Sequence, residues 1–250
     1  MTFVRPVQIP LLIAALMPSV ASECRAQNLF ENPGFESGNT GFRSDYSFSS
    51  GGNCCEGQYT VRSNGSTFNG AFVNPPAASP GSVQMMVING STVPNLRVWW
   101  QRVAVTPGRT YDLSMSGCTA VAGGPAVLQW QIGGVLLATP VSLPSVTREW
   151  VRIPGAWTAP PGVTEVEVAV RNLNTSTFPN DFYLDDMLMR ERTCPADFNG
   201  DGFLDFFDYG DFVACFEGTC SPGLTADFNG DGFVDFFDYD DFVGAFEAGC

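Results

Sequence analysis

The same 12-residue acidic segment occurs twice near the C-terminus, thirty residues apart. The copies read DFNGDGFLDFFD at residues 197–208 and DFNGDGFVDFFD at residues 227–238. Each copy has oxygen-bearing side chains at positions 1, 3, 5, 9 and 12, and a glycine at position 6, where the chain turns sharply. A hard cation such as calcium takes about six to eight oxygen ligands, and this spacing wraps the chain around one ion. The repeat therefore predicts two calcium-binding loops.

The charge of this segment supports a bound metal. Residues 194–250 contain eleven Asp, two Glu and neither Lys nor Arg, so they carry −13 of the chain's net charge of −14. Close carboxylates repel by roughly 1 kcal/mol per pair in water, and two dications would cancel four of these charges. An acidic, disordered, solvated tail is the alternative. The many phenylalanines disfavour it, because such tails are poor in aromatic residues.

A helix is predicted after each loop, and none before it. Pro195 precedes the first loop and Pro222 the second, so neither can follow the entering helix of a full EF-hand. Gly218 ends the first predicted helix. Two loop-helix units should therefore pack through their aromatic faces. The apolar residues at helical spacing are Phe206, Tyr209, Phe212, Val213 and Phe216, then Phe236, Tyr239, Phe242, Val243 and Phe246.

With these two loops, residues 193–250 resemble a type I dockerin, a calcium-dependent module that plugs into cohesin domains. The resemblance implies two calcium ions and a cohesin-like or cell-surface protein as partner. Dockerins use small polar residues at loop positions 10 and 11 to recognise cohesin, whereas here both positions are Phe in both loops. We expect at least one Phe of each pair to belong to the core. The implied calcium ligands are Asp197, Asn199, Asp201, Phe203 (backbone carbonyl), Asp205 (through water) and Asp208, then Asp227, Asn229, Asp231, Phe233 (backbone carbonyl), Asp235 (through water) and Asp238.

The N-terminus has the pattern of a secretory signal peptide over residues 1–26. Arg5 precedes an apolar run at residues 7–17, which small residues follow. Cleavage after Ala21 or Ala26 is compatible with the pattern, and we prefer Ala26, which starts the mature chain at Gln27. No other stretch is long and apolar enough to span a membrane. The chain is therefore predicted to be secreted.

Eight cysteines fit an oxidising compartment. Zinc is disfavoured because the chain has no His and no C-x-x-C spacing. One of the adjacent Cys54 and Cys55 could pair with Cys118, which leaves one odd thiol. Cys24 falls within the signal peptide, and four tail cysteines allow three pairings, namely those among Cys194, Cys215, Cys220 and Cys250.

Residues 27–192 have the signals of one β domain. Val166, Val168 and Val170 alternate with less apolar residues, as in a half-buried strand. The predicted fold is mainly β: an antiparallel β-sandwich of jelly-roll type, followed by the small α-helical dockerin-like, EF-hand-type repeat pair. The predicted strands are residues 96–105, 110–115, 126–132, 150–153, 163–170 and 181–189.

Some segments resemble carbohydrate-binding modules with a galactose-binding-like jelly roll. Residues 28–38 and 182–187 are similar to their first and last strands, and residues 98–111 to a middle hairpin. The resemblance implies a third, structural calcium held by Glu36 with Asp185 or Asp186. Two solvent-facing acids near a strand end are the alternative.

Aromatic and planar polar side chains suit a sugar ring, which has apolar faces and a polar rim. Neighbours on a strand point to opposite faces, so one of Trp99 and Trp100 should be core and the other could be exposed. The loop region 43–75 could also shape a site. The candidates are Trp99, Trp100, Trp130, Trp150 and Trp157, with Gln101, Gln129 and Gln131, and Tyr46, Tyr59 and Phe68 in the loop region.

The chain contains neither His nor Lys, which excludes Ser-His and Cys-His nucleophiles and lysine Schiff bases. Glu165 and Glu167 are interpreted as residues on the solvent-facing side of a strand rather than as the two catalytic carboxylates of a glycoside hydrolase. The acidic balance disfavours nucleic acid. The sequence therefore predicts a non-catalytic protein whose sandwich binds a polysaccharide and whose tail attaches to a protein. The alternatives are an extracellular structural or adhesion protein without glycan binding, or a small glycoside hydrolase.

Overall fold

The computed structural model describes residues 27–137, 139–192, 194–200, 204–221 and 224–249. The predicted signal peptide, Cys24, Asp201, Phe203 and Cys250 lie outside these residues. The strands are β1 (Ser47–Phe48), β2 (Gln58–Arg62), β3 (Met85–Ile88), β4 (Arg97–Ala104), β5 (Thr110–Thr119), β6 (Val127–Ile132), β7 (Val135–Leu136), β8 (Val141–Ser142), β9 (Trp150–Thr158), β10 (Glu165–Asn172) and β11 (Phe182–Glu191), and the helices are α1 (Phe206–Phe216) and α2 (Phe236–Ala248), with a short 3-10 helix at Gly65–Thr67.

The strands form two sheets. The first has the order β1-β2-β3-β11-β5-β9, and the second has the order β4-β10-β6-β7 with β8 also paired to β6. The short β1–β2 pair is parallel, and the other pairs are antiparallel. From β3 to β6, and again from β9 to β11, each strand lies in the opposite sheet from the one before it. This alternation agrees with the predicted jelly roll.

One hydrophobic core lies between the sheets. The second sheet contributes Trp99, Trp130 and Val168, and the first contributes Tyr111 and Leu184 to the same cluster. The alternation predicted for β10 is confirmed for its three valines, which are buried, but Ala169, predicted on the opposite face with Glu165 and Glu167, is buried as well. Outward-facing residues of the second sheet are therefore free to build a surface site.

The six predicted strands are confirmed within a few residues, but two expectations about their neighbours are wrong. β4 and β5 do not form a hairpin, because they belong to different sheets. Their connection hydrogen-bonds instead to the β9–β10 turn, where Gly108 N–H donates to the Ala159 carbonyl at 2.8 Å. Residues 28–38 form turns rather than a first strand, with positive φ at Asn32 (48°) and Phe35 (59°). Leu29 nevertheless runs beside β11, since its N–H donates to the Met189 carbonyl at 2.7 Å.

The two helices pack through their aromatic faces, as the spacing predicts. The rings of Phe212 and Phe242 stack at 3.9 Å with an interplanar angle of 4°. The hydroxyls of Tyr209 and Tyr239 lie 2.5 Å apart. Gly218 follows the end of α1, with a φ of 94° that suits glycine. Within the described residues, no helix leads directly into either loop: α1 ends at Phe216, eleven residues before the second loop starts at Asp227.

The cysteines differ from one expectation. Cys118 is buried on β5 and unbonded, whereas Cys54 and Cys55 are exposed and also unbonded. The predicted bridge to Cys118 is therefore absent, because its sulfur lies inside a small core with Phe68 and Phe72. In the tail, Cys215 is bonded to Cys220, and Cys194 is also disulfide-bonded.

None of the helices in the described part of the chain has the length and apolar character needed to cross a membrane.

Candidate functional site

The second acidic loop is described from its first residue to its last. The Asp227 Oδ2 accepts the Gly232 N–H at 3.0 Å, which folds position 6 back onto position 1. The Asp227 Oδ1 is buried and has no hydrogen-bond partner among the described residues. A buried carboxylate oxygen without a donor is unfavourable unless a cation compensates it. Position 1 of this loop thus has the free, inward oxygen that a metal ligand needs.

The middle of the second loop is a chain of local turns. The Asn229 Oδ1 accepts the Asp231 N–H at 2.9 Å, and the Asp231 Oδ1 accepts the Phe233 N–H at 2.9 Å. The Asp235 Oδ1 caps α2 by accepting the Phe237 N–H at 2.9 Å. Positions 3, 5 and 9 therefore hold their side chains close to the loop backbone.

Position 12 closes both loops in the same way. Asp208 accepts N–H groups from Asn199 at 3.1 Å and from Asp205 at 2.9 Å. Asp238 accepts the matching pair from Asn229 at 3.1 Å and Asp235 at 2.8 Å, and a third from Phe228 at 2.7 Å. These backbone donors, Asp235 first, hold the pKa of the Asp238 carboxyl below its usual range. Both carboxylates are fully buried.

The sequence did not predict that the Asp at position 12 accepts backbone N–H groups of its own loop. These hydrogen bonds limit how many oxygens this Asp could offer to calcium. A carboxylate has about four acceptor positions, and three of those on Asp238 already take backbone N–H groups. Asp238 could therefore offer about one further contact to a metal, rather than two oxygens. Among the described residues, no group of three or more His, Cys, Asp or Glu side chains is arranged to hold a metal by itself. The predicted ligands also include Asn, backbone carbonyls and Asp201, which lies outside those residues. Calcium binding stays a prediction.

The phenylalanines at loop positions 10 and 11 correct an expectation. All four are exposed, from 68% for Phe237 to 78% for Phe206, so neither pair supplies a core residue. Each pair begins a helix, directly after the capping Asp. The rings of Phe206 and Phe236 lie 6.1 and 6.4 Å from those of Tyr209 and Tyr239, yet both remain largely exposed. With Phe233 at 72%, the repeat pair presents an unusually apolar surface.

A polar cleft of about 590 Å³ borders β4 on the sandwich. Its central aromatic is Trp100, which is half-buried on the outer face of the second sheet, while Trp99 is fully buried on the inner face. The prediction that the two neighbours point to opposite faces is confirmed. The cleft is lined by Glu31, Gly41, Phe42, Arg43, Trp100, Gln101 and Arg102.

Two guanidinium groups lie over the ring of Trp100. The distance from the guanidinium carbon to the ring centroid is 4.3 Å for Arg97 and 5.2 Å for Arg43. Arg97 is held by a bond of 2.8 Å to Asp45 and one of 2.7 Å to Glu167. The Trp100 ring is therefore fixed in orientation by cation–π contacts and a network of ion pairs.

Gln101 fixes the wall of the cleft rather than facing a ligand. Its amide accepts the Glu31 N–H at 3.0 Å and donates to the Glu31 carbonyl at 2.8 Å. The Glu31 side chain is thereby placed at the exposed rim. Sequence reasoning found Trp100 and Gln101 but missed Glu31, which the Gln101 amide holds beside β4, and Arg43, which forms an isolated bridge with Trp100.

The remaining predicted sugar-binding aromatics are placed elsewhere. Trp130 is core, and Trp150 is half-buried with its N–H bonded to the Pro76 carbonyl at 2.8 Å. Trp157 lines a separate, more apolar groove of about 590 Å³ with Val135, Leu137 and Val163. Gln129 and Gln131 bond to the carbonyls of the hairpin after β6. The loop region 43–75 offers no aromatic platform at the positions named, because Tyr46, Tyr59 and Phe68 are buried.

Glu36, Asp185 and Asp186 meet around the loop of residues 79–84. Glu36 accepts the Val83 N–H at 2.7 Å, and Ser82 donates to Asp185 at 2.6 Å. Asp185 is only 1% exposed, which rejects the solvent-facing alternative for this residue. Burial first, then the charges of Asp186 and Glu36, raise the pKa of Asp185 to about 7. A third calcium here stays a prediction.

The raised pKa of Asp185 gives a pH-dependent stability. The folded-state pKa lies above the usual unfolded value, so without divalent ions the unfolding free energy should fall between pH 5 and pH 8, by up to roughly 2.5 kcal/mol. Asp185→Asn should flatten that slope, measured by denaturant unfolding in EDTA at both pH values. Asp211→Asn, which changes an exposed carboxylate on α1, is the control and should keep the parent slope. An unchanged slope in Asp185→Asn would contradict the assignment.

The chain has no match among protein-family models and none among curated proteins. Among solved structures, it is similar to the CBM22-1–CBM22-2 tandem of Xyn10C from Paenibacillus barcinonensis, at 14% identity and a TM-score of 0.46. That match covers 66% of this chain and 45% of the tandem, so this chain spans less than half of that relative.

A Stig cyclase from Fischerella sp. TAU is also similar, at 13% identity and a TM-score of 0.49, covering 67% of this chain and 98% of the cyclase. The separate CBM22-1 xylan-binding domain of Xyn10C matches at 15% identity and a TM-score of 0.37, over 60% of this chain and 92% of that domain. Because these TM-scores lie below 0.5, the activity of neither kind of neighbour transfers to this chain.

Proposed function

We propose that this chain is a secreted, non-catalytic glycan-binding protein with a calcium-dependent tail for attachment to a protein partner. The observation that carries the glycan part is the cleft at Trp100. It combines one oriented indole ring with Arg43, Arg102 and Glu31 in a polar space of about 590 Å³. That volume falls within the usual range for small-ligand sites.

The chemistry of the cleft suits a saccharide better than an apolar ligand. A pyranose offers an apolar face that packs on an aromatic ring, and hydroxyls that need planar, charged or amide partners. The groove at Trp157 is the reverse, since it is lined mainly by aliphatic side chains. We therefore assign the saccharide to the cleft.

The carboxylates near the cleft support a binding role rather than hydrolysis. Glycoside hydrolysis uses two carboxyl groups that flank the scissile bond. The cleft contributes Glu31 alone. The nearby Glu167 is ion-paired to Arg97 at 2.7 Å, and Glu165 lies 3.6 Å from Arg102. These ion pairs give both carboxylates a structural role.

The tail is proposed to bind its partner through Phe206, Phe207, Phe236 and Phe237. These residues start the two helices and leave most of their rings in contact with solvent. The surrounding segment is strongly acidic, so a complementary partner would combine apolar pockets with a basic rim. An ordinary cohesin, which reads small polar residues at these positions, is a poorer fit.

The glycan proposal is tested by screening the full mature chain, residues 27–250, on a glycan array with calcium present. Binding to at least one class of polysaccharide is expected. If no glycan binds, the alternative of an extracellular structural or adhesion protein is favoured. Release of reducing sugar from a bound polysaccharide would instead revive the hydrolase alternative.

A further inference from the structure

Arg109 links the sandwich to the first acidic loop. It lies in the turn between β4 and β5, and its Nη1 donates to the Asp197 Oδ2 at 2.9 Å. Its Nη2 donates to the Gly200 carbonyl at 2.6 Å, while Glu191 lies 3.4 Å from its Nε. Asp197 and Gly200 are positions 1 and 4 of the loop. The Arg109 guanidinium is therefore bound to Asp197, the residue that is expected to be the first metal ligand of this loop.

The second loop differs at the same position. Among the described residues, no Arg forms an ion pair with Asp227. Residues 194–250 contain no Lys or Arg, so a side-chain cation at either loop has to come from the sandwich. The sandwich supplies one to the first loop through Arg109. Two loops of nearly identical sequence thus stand in different electrostatic surroundings.

We propose that Arg109 lowers the calcium affinity of the first loop below that of the second, by competing for Asp197. This inference rests on the proposed binding of calcium to both loops. A charge-assisted hydrogen bond to a carboxylate is stronger than a neutral one, and the Asp197 side chain is only 8% exposed, so the contact is poorly screened. A dication that binds the same carboxylate has to displace the guanidinium or bear its repulsion. Glu191 offsets part of that positive charge.

The consequence is an ordered filling of the two loops. The second loop should fill first as calcium rises, and the first should fill only at higher concentration. Because Arg109 belongs to the sandwich, calcium binding to the first loop should also weaken the contact between the sandwich and the tail. By linkage, a stronger ion pair between Arg109 and Asp197 lowers the calcium affinity of the first loop, and bound calcium weakens the ion pair by the same factor.

The test is calorimetric calcium titration of the full mature chain and of Arg109→Gln. Removal of the competing cation should tighten one of the two sites by about tenfold to a hundredfold and leave the other unchanged. Arg109→Lys keeps the charge but loses the simultaneous contact with Gly200, so its affinity should be intermediate. Arg190→Gln, an exposed arginine of β11, is the matched control and should change neither site.

The site that responds is identified by silencing each loop in turn. In an Asp227→Ala background, Arg109→Gln should tighten the remaining site, and in an Asp197→Ala background it should have no effect. Far-UV circular dichroism verifies that each variant is folded. If both loops bind calcium in the parent and Arg109→Gln and Arg109→Lys change neither, the competition is refuted while calcium binding stands. If neither loop binds calcium in the parent, the proposed function of the tail fails as well.

Discussion

Replacing Asp197 and Asp227 together with alanine is expected to abolish the response of residues 194–250 to calcium. Each supplies position 1 of its loop, and in the second loop the buried Oδ1 of Asp227 has no hydrogen-bond partner in the described part of the chain. Without that carboxylate, the remaining oxygens are held by local turns and by the closure through Asp208 and Asp238. Fewer charged ligands mean weaker calcium binding.

The measurement is helicity by circular dichroism during calcium titration of the full mature chain. The parent should gain or retain helical signal with calcium and lose it with EDTA. The helical signal of the double variant should change neither with calcium nor with EDTA. Asp211→Ala with Asp241→Ala is the matched control, because these exposed residues occupy the same helix position in each repeat and remove the same charge. A parent whose helicity is unchanged by chelation would contradict calcium-dependent folding.

The reason for expecting a large effect is the balance of forces in this small unit. Its core is an aromatic stack centred on Phe212 and Phe242, which about fifty residues must support. Domains of this size are marginally stable without an extra staple such as a metal or a disulfide. Cys215–Cys220 closes only a short segment, and Cys194 belongs to a second disulfide, so calcium would add to covalent links that are already present. Bound calcium would stabilise the folded unit by mass action.

Much of the fold could be predicted from the sequence, because its patterns are local. Alternation gave the inward valines of β10, and helical spacing gave the packed faces that meet at Phe212 and Phe242. The same spacing placed Phe206 and Phe236 within helices, which begin at these two residues after the capping Asp205 and Asp235. These features depend on neighbours within a few residues, which is the range where periodicity and turn chemistry are informative.

The errors concern contacts that no local pattern specifies. The turn at residues 106–109 has the signals of a hairpin, but the two strands that it joins, β4 and β5, belong to different sheets. The phenylalanines at loop positions 10 and 11 look like core residues by composition, yet they lie in the first turn of each helix with most of each ring exposed. A disulfide at Cys118 would be compatible with the predicted oxidising compartment, but Cys118 is buried whereas Cys54 and Cys55 are exposed.

The candidate sites were only partly predictable for the same reason. The ligand positions in the loops follow from spacing, whereas the contact between Arg109 and Asp197 joins residues 88 positions apart. The sequence predicted that one of Trp99 and Trp100 points outward without deciding which, and the neighbours Arg43 and Glu31 come from a segment without regular structure. Long-range contacts of irregular segments leave little trace in one sequence.

Trp100→Ala is expected to remove glycan binding by the sandwich. In the cleft, Trp100 supplies an indole ring that Arg97 and Arg43 hold in place from above, so a sugar would pack on the ring surface that these two guanidinium groups leave open. Truncation of a central aromatic typically costs about 2–4 kcal/mol of binding, or roughly thirtyfold to a thousandfold in affinity. The measurement is affinity electrophoresis or calorimetry with the polysaccharide that binds the parent best on the array. Thermal unfolding of the variant checks that the sandwich remains folded.

Trp157→Ala is the matched control for this prediction, because Trp157 is also half-buried but lines the other groove, beside Val135 and Leu137. It should keep the parent affinity. Trp100→Phe should retain part of the binding, since a smaller ring still offers an apolar face. The reverse pattern, with binding lost in Trp157→Ala and kept in Trp100→Ala, would move the saccharide to the apolar groove and refute the cleft. Such a result would also change the expected ligand, because aliphatic walls favour a saccharide with few exposed hydroxyls or an attached apolar group.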